Sequence, residues 1–297
     1  MKTYTPQDLA VKDLHQFIVG AIAPRPIAFV STIDNNGVQN LAPYSFFNAF
    51  SSNPPIFVFS SNRRVKGNTT KDTLHNVQAN SEVVINVVNY NMVQQMALAS
   101  ISYPADVNEF EKSGLTPIAS EVVKPARVKE SPVQFECRVN EVQTLGEHGG
   151  AGHLIICEVL RIHIDENIID ERGRIDPHKA DLVGRLGRAY YVRASGDALF
   201  TVVQDQETIG IGYDQMPQHI LNSATLVGNE IAQLAGITAI PTIVEVKELL
   251  EKDTKFAQIM QMDDKEALHL AAENYAKVLL KDFNVNEAFA VLMHHLL

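Results

Sequence analysis

The sequence predicts a mainly β domain, a barrel or a sandwich with short helices, followed by a small all-α domain, and three observations predict it. From Arg25 to about Val203 the chain runs in short β-branched and aromatic stretches punctuated by turn residues, without the regular alternation of strand and long helix that marks a parallel sheet. After Val203 the apolar residues switch to helical spacing. The net charge of −10 divides at the same place: residues 1–204 hold 19 Lys and Arg against 21 Asp and Glu, and residues 205–297 hold 6 against 14. The expected domains are therefore 1–204 and 205–297.

Ile27 to Ile33 reads as a strand, and Asp34-Asn35-Asn36-Gly37 as a hairpin turn of residues that tolerate positive φ, with the return strand from Val38. Tyr44 to Ser52 reads as one extended stretch. Its alternation sets Tyr44, Phe46, Asn48 and Phe50 on one face and Ser45, Phe47, Ala49 and Ser51 on the other. Pro55–Ser60 and Glu82–Asn89 are apolar enough to be buried strands. Between them Asp72–Val77 reads as a short helix capped by Asp72 or Thr70. A second short helix is expected over Met92–Ala99, and residues 103–130 read as irregular. Val133–Thr144 and His153–Asp165 flank the glycine-rich stretch Gly146–Gly152 as a long hairpin. In the tail, Pro217–Gly236, Val244–Met262, Asp264–Asp282 and Asn286–His295 are expected as four helices, capped by Asp263 or Asp264 and by Asn284 or Asn286 where those residues precede them.

With 297 residues of which 45% are apolar, the chain can fill real cores, which excludes disorder. No window approaches eighteen uninterrupted apolar residues, and the first residues lack a basic start and a cleavage site, so a cytoplasmic protein is expected. The acidic balance argues against nucleic acid and anionic membrane as partners. Cys137 and Cys157 are too few for a disulfide framework or a zinc site. A hairpin turning near His148 would set Cys137 beside Leu160 and Cys157 beside Asn140, leaving two buried, reduced thiols. His148 and His153 fall short of a metal site, and the tail histidines His219, His269, His294 and His295 are scattered or terminal.

Dinucleotide, P-loop, metalloprotease and nucleophile-elbow motifs are missing, which disfavours hydrolase and P-loop chemistry. What remains is a set of small polar residues and bases in residues 24–73. Ser60-Ser61-Asn62-Arg63-Arg64 ends a strand, and Lys66 and Lys71-Asp72-Thr73 lead into a helix. Hydroxyls, helix-start N–H groups and one or two cations are the means of holding a phosphate monoester, with a solvated basic loop as the bland alternative.

Pro24-Arg-Pro-Ile-Ala-Phe-Val-Ser-Thr32, then Asn40 to Pro55, then Ser60-Ser61 followed by Lys71-Asp72-Thr73, in this order and spacing, resemble the flavin reductase-like, FMN-binding split-barrel family. The resemblance covers roughly residues 15–204. It implies a split β-barrel that dimerises with FMN in a groove at the subunit interface. Carried over, Arg25, Ser31 and Thr32 would sit by the flavin or its ribityl chain, and Ser45, Asn48 and Ala49 would meet the ring. Ser60, Ser61, Lys71 and Thr73 would take the phosphate, and His148, Gly149 and the stretch Arg188 to Tyr191, with Arg188 and Tyr190 foremost, would reach across from the second subunit. No metal and no catalytic side chain are implied, because the flavin carries the chemistry. The activity implied is NAD(P)H:flavin reduction, hydride passing from NADH or NADPH to flavin N5 and on to a small-molecule or protein acceptor. A flavoredoxin-like electron carrier and a reductase component of a two-protein oxygenase fit the same residues. From another class, a cofactor-free barrel using the acidic helical tail to bind proteins also fits the composition.

Overall fold

The computed structural model describes residues 1–203 and 207–297. The chain falls into two compact units, Met1–Phe200 and Thr201–Leu297, and the boundary expected near residue 205 lies outside the described residues. Among the described residues no helix is long and apolar enough to cross a membrane.

After helix α1 (Val11–Ala21) the first unit forms β1 (Ala28–Ile33), β2 (Gln39–Tyr44), β3 (Phe47–Ser52) and β4 (Pro55–Ser60). Helix α2 (Asp72–Asn80), β5 (Glu82–Val87), α3 (Val93–Leu98) and α4 (Glu109–Ser113) follow. A short ladder of β6 (Pro117–Ile118) and β7 (Arg127–Val128) precedes the long strands β8 (Val133–Thr144) and β9 (His153–Ile164). Helix α5 (Pro177–Ala180) leads into a second ladder, β10 (Leu182–Arg185) with β11 (Tyr191–Ala194). Seven strands make one antiparallel sheet in the order β2-β1-β5-β8-β9-β4-β3. Its two edges are consecutive strands joined by Ser45 and Phe46 alone. A flat sheet would hold those edges about 29 Å apart, whereas this link spans about 10 Å at most, so the sheet must curl into a barrel.

The curl explains why β1 is buried along nearly its whole length, Ser31 and Thr32 included, since both of its faces are covered. Ala28 and Val30 point into a core with Phe59, Leu74, Ile85, Ile155 and both cysteines. Phe29 points the other way, against Leu41, Met92, Met96 and Phe110. The hairpin turn between β1 and β2 is held by the Asp34 carboxylate, which accepts from the N–H groups of Asn36 (2.8 Å) and Val38 (2.7 Å), with Gly37 at φ 88°.

Several expectations are corrected. Tyr44–Ser52 is not one strand: the barrel's closing corner falls at Ser45–Phe46, and a bulge between Ala49 and Ser51 breaks the alternation. β4 is buried only at Phe59 and Ser60, because its outer side faces the sheet's exposed surface. Residues 103–130 contain α4, β6 and β7, elements too short for periodicity to show. The long hairpin keeps the expected register at Phe135↔Ile162 and Glu141↔Ile156, but two bulges shift it between them, giving Cys137↔Val159 and Val139↔Cys157. Both thiols therefore enter one core as free, diagonal neighbours.

The second unit has six helices among its described residues rather than four: α6 (Gln218–Leu221), α7 (Gly228–Ala235), α8 (Ile243–Lys252), α9 (Thr254–Ile259), α10 (Lys265–Lys281) and α11 (Val285–Leu292). Asp253 breaks the second expected stretch, Val244–Met262, by capping α9, accepting from the N–H groups of Lys255 and Phe256 (both 2.9 Å). Asp264 caps α10 as expected, whereas Asn284, at the start of α11, makes no side-chain cap. Ile220, Leu234, Val246, Phe256, Ala276 and Phe289 lie in its core.

Candidate functional site

The start of α2 faces a small cavity of about 60 Å³ lined by Asn40, Tyr44, Arg64, Lys71, Thr73 and Glu109, among others. Lys71 occupies the N-cap position and offers no side-chain cap, so the first-turn N–H groups lack a partner from it. The expected cap Thr70 is instead 2.6 Å from the His75 ring, and Asp72 lies inside the helix. The Lys71 ammonium sits 4.6 Å from the Tyr44 ring centroid. Burial and the neighbouring Arg64 guanidinium pull Lys71 below the usual lysine range. Arg64 is tied by hydrogen bonds to the Thr69 hydroxyl (3.3 Å) and the Thr70 carbonyl (2.6 Å). Among the described residues neither cation has an ion-pair partner. Beside them the Tyr44 and Ser61 hydroxyls are buried close to each other and to the Thr73 hydroxyl, and among the described residues neither makes a hydrogen bond of good geometry. Burial pushes Tyr44 up to about 12, so it remains a donor at neutral pH. Two unpaired cations, two orphan hydroxyls and a helix start fit a phosphate group.

The other hydroxyls expected here are already committed. Ser31 and Thr32 point to opposite faces of β1 and cannot both reach one ligand. Ser31 donates to the Ala126 carbonyl. Thr32 donates to Asn40 Oδ1 (3.3 Å) and accepts from Asn76 Nδ2 (3.0 Å), while the Thr73 hydroxyl donates to Asn40 Oδ1 (2.7 Å). Glu109 fixes that amide's orientation: its Oε2 accepts from Asn40 Nδ2 (3.1 Å) and from the Leu41 N–H (3.0 Å). Burial, reinforced by Asp72, pushes the Glu109 carboxyl up. Thr73 therefore faces a ligand through its backbone rather than its hydroxyl proton. Arg63, a candidate cation in the sequence, closes its own loop on Asn68 through Oδ1 and the carbonyl (both 2.7 Å), and Lys66 is exposed.

On the far side of the Ser45–Phe46 corner lies a groove of about 410 Å³, lined by Phe46, Asn48, Phe50, Ser60, Leu145 and Gly152, among others. That volume and its mainly apolar lining with a few polar groups suit a flat heterocycle. Asn48 and Ala49 are exposed on β3, Asn48 Oδ1 accepting from the Ala49 N–H (2.9 Å). Ser60 donates to Asn62 Oδ1 (2.8 Å). Ser45 accepts from Arg25 Nε (3.4 Å), and the rest of that guanidinium is bound to the Val19, Ile22 and Leu186 carbonyls. His153 Nδ1 lies 3.1 Å from Thr144 Oγ1, while its Nε2 is buried without a partner. Alternation along β2 (Asn40, Ala42, Tyr44) is the signal that would have found Tyr44; His153 carried none.

The glycine-rich loop borders this groove from the same chain through Gly150 and Gly152. His148 is exposed at its tip, Tyr190 is 63% exposed, and Arg188 takes a left-handed conformation at φ 56°. A Cβ at Gly149 would lie 2.8 Å from the Val65 carbonyl oxygen and 2.9 Å from its Cα. Gly149→Ala is accordingly expected to push the loop off the 64–65 backbone and cost about 1–3 kcal/mol, read as a lowered midpoint in urea.

A curled antiparallel barrel with a phosphate-sized cationic pocket beside an apolar groove defines the class of flavin-binding split barrels. The flavin reductase like domain family model matches residues 20–179, and the chain belongs to that family. It is 39% identical over 189 residues to an uncharacterised protein of Aquifex aeolicus, covering 64% of this chain and 94% of that one. Its structure is similar to nitrilotriacetate monooxygenase component B from Bacillus cereus, with TM-score 0.63 and 32% identity over 68% of this chain and 98% of that one. It is also similar to 2-nitrobenzoate 2-nitroreductase from Pseudomonas fluorescens, with TM-score 0.60 and 26% identity over 68% and 96%. The split-barrel fold and membership of an oxidoreductase family follow; these matches leave the helical unit to its own residues.

Proposed function

We propose that the chain is an FMN-dependent NAD(P)H oxidoreductase, and the observation that carries this is the pair of cations, Lys71 and Arg64, left without counter-ions beside two orphan hydroxyls. FMN, when bound, would supply the redox chemistry between a reduced nicotinamide and a second acceptor. The chain's own residues bind and orient. Lys71, Arg64, Tyr44 and Ser61 would hold the phosphate with the first N–H groups of α2, and the β3 backbone with Asn48 would meet the ring edge. The glycine-rich loop limits access of water to the groove. A homodimer is supported by the exposed apolar row Leu160, Ile162 and Ile164 on β9, with Phe50 on edge strand β3. The second subunit's copies of His148, Gly149, Arg188 and Tyr190 are then candidates for covering the ring. The likeness to a monooxygenase component favours a protein acceptor as the second reading.

The deciding experiment is titration of the purified chain with FMN followed by rapid mixing with NADH and with NADPH. Flavin absorbance that bleaches on mixing supports the reductase. FMN that binds but reduces only through a protein donor moves the assignment to an electron carrier, and no FMN binding at all ends both.

Lys71 also gives the site a pH dependence. Its charged form is disfavoured in the ligand-free chain, and a bound phosphate dianion requires that form. Affinity for FMN should therefore fall as pH rises through the lowered Lys71 value, beginning below the ordinary lysine range of about 10.4. The ligand-free fold responds oppositely, gaining stability in the same window because the unfolded chain binds the more protons there. Fluorescence titration of FMN between about pH 7 and about pH 10 checks this, with Lys71→Met expected to be flat.

A further inference from the structure

The helical unit gathers histidines that the sequence scatters. His219 of α6, His269 of α10, and His294 and His295 of the terminal turn form one cluster. Ring centroids stand 4.6 Å apart for His219 and His295, 5.5 Å for His269 and His294, and 6.3 Å for His294 and His295. Glu273, one helical turn beyond His269 and only 4% exposed, places Oε1 3.4 Å from His269 Nε2. A carbonyl can only accept, so His219 Nε2–H donates to the Leu292 carbonyl and His294 Nδ1–H to the Val291 carbonyl, both at 3.1 Å. These are the last carbonyls of α11. The rings thus tie α6 and the turn His294–Leu296 to the end of that helix, with α8 packed against the same turn.

Glu273 pairs with His269 and favours the charged form of His219. A first proton is compensated by Glu273, and among the described residues no second side-chain carboxylate forms an ion pair with these rings. Acids on the neighbouring helices are engaged elsewhere: Glu230 of α7 with Lys277, Asp253 at the start of α9 with the Tyr275 hydroxyl, and on α8 Glu245 with Thr242 and Glu248 with Lys252. The remaining charges of α8, Lys247 and Glu251, are exposed. Burial holds His219 and His294 below the usual histidine range, and the neighbouring histidines add to it. His295 meets both His219 and His294 nearly edge to face, at 74° and 82°. Among the described residues no three such side chains are arranged to hold a metal ion.

We propose that this cluster is a proton-operated latch: neutral rings hold the terminal turn onto α6, α8 and α11, and uptake of a second proton releases it. The open state binds protons more readily than the closed one. The closed state's advantage is therefore complete above the ordinary histidine value of about 6.5 and is lost as pH falls below it. Release would uncover Met293 and Leu292, now buried, and so create an apolar patch at the end of the helical unit.

Hydrogen exchange of the full chain, corrected for intrinsic rates, at about pH 8 and about pH 5.5 tests this. Amides of the last ten or so residues should lose protection about tenfold or more at the lower pH while barrel amides do not. The variant His219→Gln with His294→Gln, which keeps amide donors for the two carbonyls, should lose that dependence. Should it fail to fold, proton NMR of the wild-type imidazoles replaces it: two or more must titrate below the ordinary range, together with the loss of protection. The latch is overturned by equal protection at both pH values, by dependence that persists in the variant, or by ordinary titration of all four rings. Stoichiometric zinc chloride that protects the terminal amides at neutral pH, reversibly by chelator, also overturns it by making the cluster a metal site.

Discussion

Lys71→Met is expected to weaken FMN binding by about 10- to 100-fold while leaving the empty chain as stable as the wild type or slightly more so. The loss corresponds to one charge-assisted hydrogen bond to phosphate, about 1.5–3 kcal/mol. The opposite sign on stability comes from the same atoms. In the ligand-free chain Lys71 is a partly buried ammonium with an aromatic ring below it, an arginine beside it and no carboxylate partner among the described residues. Removing that charge relieves desolvation and repulsion that only an anion otherwise relieves, the usual trade of stability for function at a binding site. Arg64→Ala should act in the same direction on affinity but lose stability, since Arg64 also holds the Thr69–Thr70 backbone. Fluorescence quenching gives the affinities and thermal melting gives the stabilities. An unchanged FMN affinity in Lys71→Met would remove the phosphate from this pocket.

The barrel was legible in the sequence because its strands are bounded by strong turn chemistry, Asp34–Gly37 and Gly146–Gly152, and because β1 and β5 are rich in apolar and β-branched residues. The corner at Ser45–Phe46 was not, since nothing in Tyr-Ser-Phe-Phe marks a break; it is imposed by closure of the sheet, a non-local event. The bulges that bring Cys137 and Cys157 onto one face are equally silent in sequence. Lys71 and Ser61 were legible as candidate phosphate ligands from residue type and position, and among the described residues the first has no ion-pair partner and the second no hydrogen bond. Thr32 and Thr73 carry the same chemistry, but their hydroxyls are bonded to Asn40, a residue whose orientation depends on Glu109 some 70 positions away. Side-chain type predicts what a group can do, whereas its partners decide what remains to be done. The histidine cluster makes the same point, since four rings spread over three helical segments share a site only after the unit has packed.

Arg25 separates the two kinds of role most sharply. The resemblance would set it beside the flavin, yet its guanidinium is 6% exposed as a whole residue and carries hydrogen bonds to the Val19, Ile22 and Leu186 carbonyls and to Ser45. Helix α1 has no buried residue of its own, so apolar packing contributes little to holding it, and the two carbonyls that Arg25 binds are at its C-terminal end, where a cation is favoured. Arg25→Met keeps the apolar stem and removes all four bonds. It should cost about 3 kcal/mol, lower the melting temperature of the barrel by roughly 6–12 °C, and expose the residues of α1 to protease. FMN affinity should fall by less than in Lys71→Met, because the phosphate ligands are untouched. The reverse pattern, a wild-type melt with α1 still protected and flavin lost, would mean that the guanidinium leaves these carbonyls for the ligand, and that α1 is anchored by something other than Arg25.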